Sequence, residues 1–280
     1  QALYNLGFNN AGEPGIIQAG LGNPVLKWEK NTQFDVALEF GLLKNRISGS
    51  FEWFNRKSDN LLFAVPLPLS SGVLSVNRNI GSMFNKGVEI NLALDIIRAR
   101  VFNWTLNINW TKFKNQITKM PEGQAEIISG TKKLSVGHSI YDYWLRQWYG
   151  VDPATGAALY EAVAINNPAT DFINAKGDMV TMNINNARYD YSGSAIPDYF
   201  GSINSIFSYN NIELSCLFTY QNGGLVYDAT WAGLMSSGNY GQAYSKDILN
   251  RWQKPGDETN VPRMDVGQTG NFNAASTRWL

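Results

Sequence analysis

Apolar and polar side chains alternate at every second position over several long runs of this chain. The alternation is clearest in residues 101–111, where large apolar side chains alternate with asparagine and threonine. The apolar positions of this run are Phe102, Trp104, Leu106, Ile108 and Trp110. Successive side chains of a β-strand point to opposite faces, so the pattern predicts strands with one apolar and one polar face. The pattern recurs in residues 32–41, 46–57, 87–97, 198–209 and 212–220. Helical periodicity is hardly visible, so we expect an all-β fold.

Short and long connections alternate between these runs. The short ones are residues 43–45, 98–100 and 210–211. The long ones are residues 58–85, 114–138, 150–197 and 222–270. A β-sandwich has loops of mixed length at both ends, whereas an outer-membrane barrel has short periplasmic turns and long external loops. The loop lengths therefore favour part of a large antiparallel transmembrane β-barrel with long extracellular loops.

Aromatic residues lie where the predicted strands would meet the two membrane surfaces. With the short turns placed in the periplasm, residues 32–42 descend and residues 46–57 climb back out. The aromatic residues expected near the outer surface are Trp28, Trp53, Trp110 and Phe113, and those near the inner one are Phe102 and Trp104. Aromatic belts at both interfaces are typical of such barrels. The alternative is that these side chains form the core of a soluble β-sandwich.

Composition narrows the class of protein further. Lysine and arginine total 23 and aspartate and glutamate total 23, so the zero net charge offers no electrostatic argument for nucleic acid as a partner. No apolar stretch of about 18 residues occurs, so the sequence predicts no transmembrane helix. The single cysteine, Cys216, rules out an internal disulfide. A spanning β-strand needs only about 9–11 residues, half of them facing lipid, so these values agree with a barrel.

Residues 141–165 do not follow the alternating pattern. The first nine are aromatic on both faces and include Asp142 and Arg146, and a turn follows at residues 150–156. The loop parity allows two membrane strands here or a protrusion outside the membrane. We favour the protrusion, because an arginine on a lipid-facing strand costs about 2–4 kcal/mol at the midplane.

Six segments of the chain carry specific motifs. They are 23–30 (NPVLKWEK), 45–57 (NRISGSFEWFNRK), 79–90 (NIGSMFNKGVEI), 150–153 with 155–156 (GVDP and TG), 197–202 (PDYFGS), and 251–257 with 261–263 (RWQKPGD and VPR). In this order the segments resemble the SusC/RagA-type TonB-dependent outer-membrane transporters of the Bacteroidetes. Each motif alone is a weak signal, but six in the family's order on a barrel pattern form a specific match.

The resemblance implies a 22-stranded barrel with an N-terminal plug, a SusD-like surface lipoprotein as a lid, and energy supplied through TonB. It implies that residues 1–280 are a portion of the C-terminal barrel, and that the plug, the TonB-contacting region and the closing strands are not in this sequence. The expected location is the outer membrane, with membrane lipid around the barrel.

The sequence offers no convincing catalytic or metal-binding constellation. The only histidine, His138, has serines nearby, but a catalytic triad is defined by geometry and not by proximity in sequence. Residues 152–156 lack the ligand spacing of a calcium loop and read as a β-turn, and Asp171 with residues 176–178 reads as a polar turn. We therefore expect no enzyme activity, no cofactor and no metal. Gly87 is expected to serve a β-bulge or a close backbone approach at the start of a strand.

Aromatic residues in or beside the predicted external loops are the candidate contact residues. They are Trp144, Trp148, Tyr149, Trp231 and Tyr240. Aromatic rings stack on sugar rings or peptide side chains, and they are also enriched at protein interfaces, where a lid lipoprotein would sit. Simple packing within the loops is the third interpretation.

The leading hypothesis is active import of an oligomeric nutrient, with a glycan preferred over an oligopeptide by analogy to the family alone. The other hypotheses are a passive outer-membrane porin, an outer-membrane enzyme that uses His138, and a soluble carbohydrate-binding sandwich.

Overall fold

The computed structural model describes residues 3–10, 12–121, 123–236, 241–264 and 274–280. Within these residues it contains sixteen β-strands, one α-helix and three short 3-10 helices. The chain divides into two compact units, which are described separately below. The first unit comprises Gln1–Ser129, Lys133–Tyr141 and Ile196–Gly224, and the second comprises Gly130–Lys132, Asp142–Ala195 and Leu225–Leu280. In the described ranges, no helix combines the length and the apolar character that a membrane crossing requires.

The strands are numbered in chain order. They are β1 (Leu3–Asn10), β2 (Glu13–Gly20), β3 (Lys30–Leu42), β4 (Ile47–Pro66), β5 (Ser75–Arg98), β6 (Phe102–Lys119), β7 (Glu126–Ser129), β8 (Lys132–Ser135), β9 (Asp142–Arg146), β10 (Trp148–Val151), β11 (Ala158–Glu161), β12 (Asp171–Ile173), β13 (Met179–Thr181), β14 (Tyr189–Ser194), β15 (Pro197–Tyr209) and β16 (Ile212–Gly223). The α-helix is α1 (Ala229–Leu234), and the 3-10 helices are Leu69–Ser71, Lys246–Asn250 and Thr277–Trp279.

A six-stranded antiparallel sheet, here called the long sheet, dominates the first unit. Its strands lie in the order β3-β4-β5-β6-β15-β16. The connections at one end are short, as predicted, and the last of them contains Asn210 at a φ of 49°. Asparagine tolerates this left-handed backbone better than most residues, which suits it to a tight hairpin. The predicted antiparallel strand order and the short turns are confirmed.

The strands of the long sheet extend further at the opposite end than the alternation predicts. β4 continues to Pro66 and β5 begins at Ser75, so the predicted loop over residues 58–85 is wrong, and the connection is residues 67–74. The extensions bury a separate apolar cluster. Its members are Val65, Val76, Ile117, Ile127 and Leu134. Val65 and Ile117 are more than fifty residues apart, so local periodicity does not reveal this cluster. The β1–β2 hairpin was likewise not predicted.

The two faces of the long sheet differ in polarity along cross-strand rows. One row, on the polar face, is Glu39, Ser50, Asn91, Asn109, Ser202 and Thr219. A neighbouring row on the other face is Phe40, Gly49, Leu92, Ile108, Ile203 and Phe218. The apolar face is not covered: Leu38 is 65% exposed and Phe218 is 64% exposed. Large apolar side chains of a soluble sandwich would be buried between two sheets, so the sandwich alternative is wrong.

Aromatic side chains lie towards both ends of the apolar face. At the end with the short turns, Trp104 stacks on Phe207 with ring centroids 5.6 Å apart. Towards the other end, Trp110 lies on this face opposite Gly201. Phe113 lies three residues beyond Trp110, an odd number of positions, and therefore points to the polar face. Its predicted place in the outer aromatic belt is wrong. Trp28 precedes β3 and is 93% exposed.

Gly87 occupies a close backbone approach, as expected. A Cβ atom at this position would lie 2.4 Å from the Lys112 carbonyl oxygen and 2.8 Å from the ring of Phe54. The register shifts between β5 and β6 fall at residues 82–83 and 95–97, so the bulge alternative does not apply to Gly87 itself.

The second unit is built from short strands. β10, β11, β13 and β12 form one four-stranded sheet in that order, and β9 pairs with β14. These strands have three to six residues, fewer than the nine or so that a membrane crossing needs. In the long sheet β6 pairs directly with β15, so residues 141–165 add no strand to it. The alternative of two membrane strands in this segment is wrong.

Candidate functional site

A groove of about 920 Å³ runs over the polar face of the long sheet. Its side chains are mostly uncharged amides and hydroxyls. The polar lining residues are Glu39, Asn45, Ser48, Ser50, Asn91, Asn107, Asn109, Ser202 and Asn204. Several of them bond across strands: Asn109 Nδ2 donates to Ser202 Oγ at 2.7 Å, and Ser215 Oγ donates to Asn204 Oδ1 at 2.8 Å. Each amide or hydroxyl both donates and accepts, so this surface suits a polar, hydrogen-bonding solute.

Carboxylates lie beside this row on the same face. Glu52 and Glu89 are directly opposite each other in the register of β4 and β5. Like charges in this position repel, so the pair adds negative potential to the polar face. Neither residue belongs to the contact residues predicted from the sequence. The cross-strand register, which sequence alone does not provide, aligns them into one surface.

Asn79 links two of the sequence motifs, residues 23–30 and 79–90, at the end of the long sheet opposite the short turns. Its Nδ2 donates to the carbonyl oxygens of Lys27 and Asn60, both at 2.8 Å, and its Oδ1 accepts from the Lys27 amide at 2.6 Å. Asn23 Nδ2 donates to the Asn77 carbonyl oxygen at 2.9 Å. The segment 23–30 is thereby bonded to β5 beside a cleft of about 1040 Å³. The charged residues of the cleft are Lys27, Lys57, Asp59, Arg78 and Lys119.

Asn115 holds the segment around His138 to the long sheet. It is 2% exposed, and its Oδ1 accepts from Ser139 Oγ at 2.8 Å and from the Ile140 amide at 3.0 Å. Its Nδ2 donates to Asn85 Oδ1 at 2.9 Å. The His138 carbonyl oxygen accepts from the Ile117 amide at 2.9 Å. The Ser139 hydroxyl is therefore oriented towards an amide oxygen, which is a structural role.

Trp148 and Trp231, two of the predicted contact residues, belong to one aromatic array in the second unit. The Trp148 ring meets Tyr160 edge to face with centroids 5.4 Å apart, and the Trp231 ring meets Trp279 at 5.2 Å. The guanidinium of Arg278 lies 4.8 Å from the Trp148 ring and 4.5 Å from the Trp279 ring. Stacking of this kind is favourable for arginine, so Arg278 joins the two halves of the array.

Burial governs the electrostatics of this array. Arg278 is 8% exposed, and burial lowers its pKa to about 10, which still leaves it protonated at neutral pH. Burial also raises the pKa of the Tyr160 hydroxyl. The indole nitrogens are anchored as well: Trp148 Nε1 donates to Asn260 Oδ1 and Trp231 Nε1 donates to Asp247 Oδ2, both at 3.1 Å. Tyr160, Arg278 and Trp279 were not among the predicted contact residues, because no local pattern in the sequence marks them.

Trp144 and Tyr149 lie elsewhere in the second unit. Trp144 on β9 stacks on Tyr189 with centroids 6.1 Å apart and meets Tyr191 edge to face at 4.9 Å. The Tyr149 hydroxyl donates to Asp178 Oδ2 at 2.8 Å, and this bond raises the pKa of Tyr149. Tyr240 lies outside the described residues. The structure thus joins Trp148 and Trp231 through Arg278 and Trp279, and places Trp144 in a different cluster.

Asp171 and Asp152 serve local structure. The buried Asp171 carboxylate accepts from the amides of residues 166 and 167 and from the Thr170 and Thr181 hydroxyls, at 2.6–3.0 Å. These bonds, led by that from Thr181, hold the pKa of Asp171 well below its usual range. Asp152 accepts from the amides of residues 154 and 155, which confirms the predicted turn. In the described part of the chain, no three acidic, histidine or cysteine side chains group as metal ligands.

Comparison with known proteins agrees with this architecture. Residues 1–200 match the family model described as "TonB dependent receptor-like, beta-barrel". The chain is 29% identical over 266 residues to TonB-dependent receptor P3 of Formosa agariphila, which covers 90% of the chain and 26% of that protein. It is 38% identical over 120 residues to TonB-dependent receptor SusC of Bacteroides thetaiotaomicron, which covers 42% of the chain and 12% of SusC.

A solved structure matches over the whole chain. The structure of the RagAB peptide transporter superposes with a TM-score of 0.80 and 26% sequence identity, covering 100% of this chain and 30% of the matched chain. The chain thus spans about a quarter to a third of the relatives that it matches over most of its length. Its antiparallel sheet, its exposed apolar face and these matches lead to one conclusion: the chain belongs to the TonB-dependent receptor β-barrel family and is an outer-membrane protein of the SusC/RagA type.

Proposed function

We propose that the protein takes part in TonB-dependent active import of an oligomeric nutrient, with an oligosaccharide as the preferred cargo. The polar face of the long sheet carries this proposal. Between Ser50 and Thr219 this face carries a continuous uncharged row, which includes Asn91, Asn109 and Ser202 and both donates and accepts hydrogen bonds. Sugar hydroxyls need partners of both kinds, and amide and hydroxyl side chains provide them. In a barrel this face lines the interior, so a cargo in transit would pass along it.

An oligopeptide is the second candidate, and the likeness to the RagAB peptide transporter favours it. A peptide backbone also offers alternating donors and acceptors to the Asn and Ser row. The acidic pair Glu52 and Glu89 would attract a peptide with basic side chains. It would not attract a neutral glycan in this way. A passive porin is the third candidate and differs from both in needing no energy input.

The proposed partners are TonB, through a region outside this sequence, and a SusD-like surface lipoprotein that acts as a lid. The aromatic residues proposed for contact with the lid or the cargo remain Trp144, Trp148, Tyr149, Trp231 and Tyr240. Trp144, Trp148 and Trp231 are half-buried, so each keeps part of its ring available while its packing holds the ring in place. An ordered ring loses little conformational entropy on binding, which supports this role.

Growth and uptake measurements test the proposal. The host with the gene deleted is compared with the wild type on defined glycans and on defined oligopeptides as nutrients. Loss of growth on one glycan supports the leading proposal, and loss on peptides alone supports the second. Unchanged growth on every oligomer, or uptake that persists without TonB, contradicts active import.

Variants of the polar row connect the phenotype to the site. Replacing Asn91, Asn109 and Ser202 together by alanine removes the amide and hydroxyl partners and is expected to slow uptake severalfold at unchanged protein level. Asn222→Ala is the control, because this exposed side chain points to the opposite face of the same sheet. Equal uptake by the triple variant and the control would show that the cargo does not bind this row during transport.

A further inference from the structure

Three lysines cluster on the apolar face of the long sheet, at the end of its apolar rows that lies away from the short turns. We propose that Lys86, Lys112 and Lys114 bind the phosphate groups of lipid head groups in the outer leaflet of the membrane. The proposal concerns the outside of the barrel and does not depend on which cargo passes through it.

The register places the three lysines close together. Lys86 on β5 lies directly opposite Lys114 on β6, and Lys112 lies two positions along β6 on the same face. Directly opposed residues have Cβ atoms about 4.5–5.5 Å apart, and like charges there repel each other. All three side chains are exposed. An anion shared by the cluster would relieve this repulsion.

On this face the neighbouring charged residues on β4 are Lys57 and Asp59, which form an ion pair with each other, with Nζ and Oδ1 3.1 Å apart. Lys86 has Asn55 opposite it on β4 and Val88 next to it along β5. In the part of the chain that the structure describes, no ion pair involves any of the three lysines. The nearby carboxylates, Glu52 and Glu89, lie on the polar face and point away. The carboxylate of the sheet on this face, Asp59, is thus paired with Lys57 and not with any of the three lysines.

The height of the cluster matches the outer membrane surface. Lys86 and Lys114 are each twelve residues from the ends of the short turn that joins β5 to β6. Twelve residues extend about 40 Å along a strand, or about 28 Å across a membrane at a tilt of roughly 45°. The apolar band of such barrels is about 25 Å tall, so the ammonium groups would lie at the outer head-group level.

Aromatic rings next to the cluster support a lipid as the ligand. The Trp110 ring lies 6.2 Å from that of Tyr199, which lies 6.4 Å from that of Tyr220. All three belong to the apolar face: Tyr199 lies at the level of Lys112, and Trp110 and Tyr220 lie below it. One ligand with acyl chains and a phosphate would contact the apolar rows, the rings and the lysines together. A free anion in solution would use only the lysines.

Lipid binding to the protein purified in detergent from the outer membrane of its host tests the proposal. After delipidation, native mass spectrometry measures the binding of lipid A, a diphosphorylated glycolipid, and of the same lipid with its phosphates removed. We expect the phosphorylated form to bind at least tenfold more tightly. The triple variant Lys86→Gln, Lys112→Gln, Lys114→Gln should lose about fivefold per lysine removed, whereas arginine at the same three positions should retain binding.

The controls test whether the position of the lost charge matters and whether the ligand is a lipid or free phosphate. Lys44→Gln removes one charge at the periplasmic turn of the same sheet and should leave binding unchanged. Equal binding of the two lipid forms by the wild type would overturn the proposal, and this arm does not depend on any variant folding. Undiminished binding by the glutamine variant would overturn it as well. Displacement of the lipid by millimolar inorganic phosphate would overturn the assignment to lipid.

Discussion

Replacing Asn115 by leucine tests how the long sheet holds the segment that contains His138. Asn115 is 2% exposed, and its side-chain oxygen is the shared acceptor for the Ser139 hydroxyl and the Ile140 amide. Leucine has the same number and branching of side-chain heavy atoms but is larger and accepts no hydrogen bond. The variant therefore leaves the Ser139 hydroxyl and the Ile140 amide without their acceptor, and Asn85 Oδ1 without its donor.

The expected cost follows from these two donors. A buried donor that loses its partner costs about 1–3 kcal/mol, and the Ser139 hydroxyl can rotate to recover part of that loss. We expect the free energy of local opening to fall by about 2–4 kcal/mol. Because about 1.4 kcal/mol corresponds to a factor of ten, exchange of the Ile140 amide should accelerate by roughly 30- to 1,000-fold.

Hydrogen–deuterium exchange with peptide-level resolution measures this effect on the purified protein in detergent. The Leu67 amide, which donates to the Leu74 carbonyl oxygen at 2.9 Å, belongs to another connection and serves as the internal reference. Ser139→Ala removes only one donor and should accelerate exchange at Ile140 by about tenfold or less. Unchanged protection of Ile140 in Asn115→Leu would refute the reasoning that these hydrogen bonds hold the segment.

Three further predictions concern other parts of the chain. Gly87→Ala places a Cβ atom 2.4 Å from the Lys112 carbonyl oxygen and should reduce the yield of folded barrel, measured by its heat-modifiable migration in electrophoresis. Gly233→Ala is the control, because a Cβ atom there has open space around it, and it should leave the yield unchanged. Arg278→Met keeps the aliphatic stem but removes the guanidinium between two tryptophan rings, which should destabilise the second unit by about 1–3 kcal/mol. The near-UV circular dichroism should change with it, and Arg278→Lys should restore part of the stability. The lowered pKa of Asp171 stabilises the fold above the unfolded value of about 3.9, and this stabilisation is lost as the pH falls towards the folded value. Protease sensitivity around residues 166–181 should therefore rise below about pH 4 in the wild type and should be high at neutral pH in Asp171→Ala.

The outer ends of the strands show where sequence periodicity stops being informative. Between β4 and β5 the alternation weakens after residue 57, yet the hairpin continues to Pro66. Its extension is stabilised by Val65, Val76 and the distant Ile117. Such a cluster depends on which strands are neighbours, and neighbours in an antiparallel sheet are defined by register rather than by the local order of side chains.

The aromatic array shows the same limit for the candidate site. Trp148 and Trp231 are predicted contact residues because aromatic residues in loops can stack on ligands or pack at protein interfaces. The structure shows that Arg278 and Trp279 pack between them and that hydrogen bonds anchor both indoles. Arg278 is 130 residues from Trp148, so no pattern within a window of sequence connects the two.

The sequence by itself determined the all-β class, the polar and apolar faces of each long strand, the short turns and the family. These properties are local or directly periodic, because each depends on side-chain alternation or on motifs of a few residues. Only the tertiary structure decided how far the strands extend, which residues form the polar row and which lysines meet on the outer surface. It also decided that residues 141–165 belong to a separate set of short strands. All of these depend on cross-strand register and on contacts between residues far apart in the chain, which the pattern of single strands does not contain.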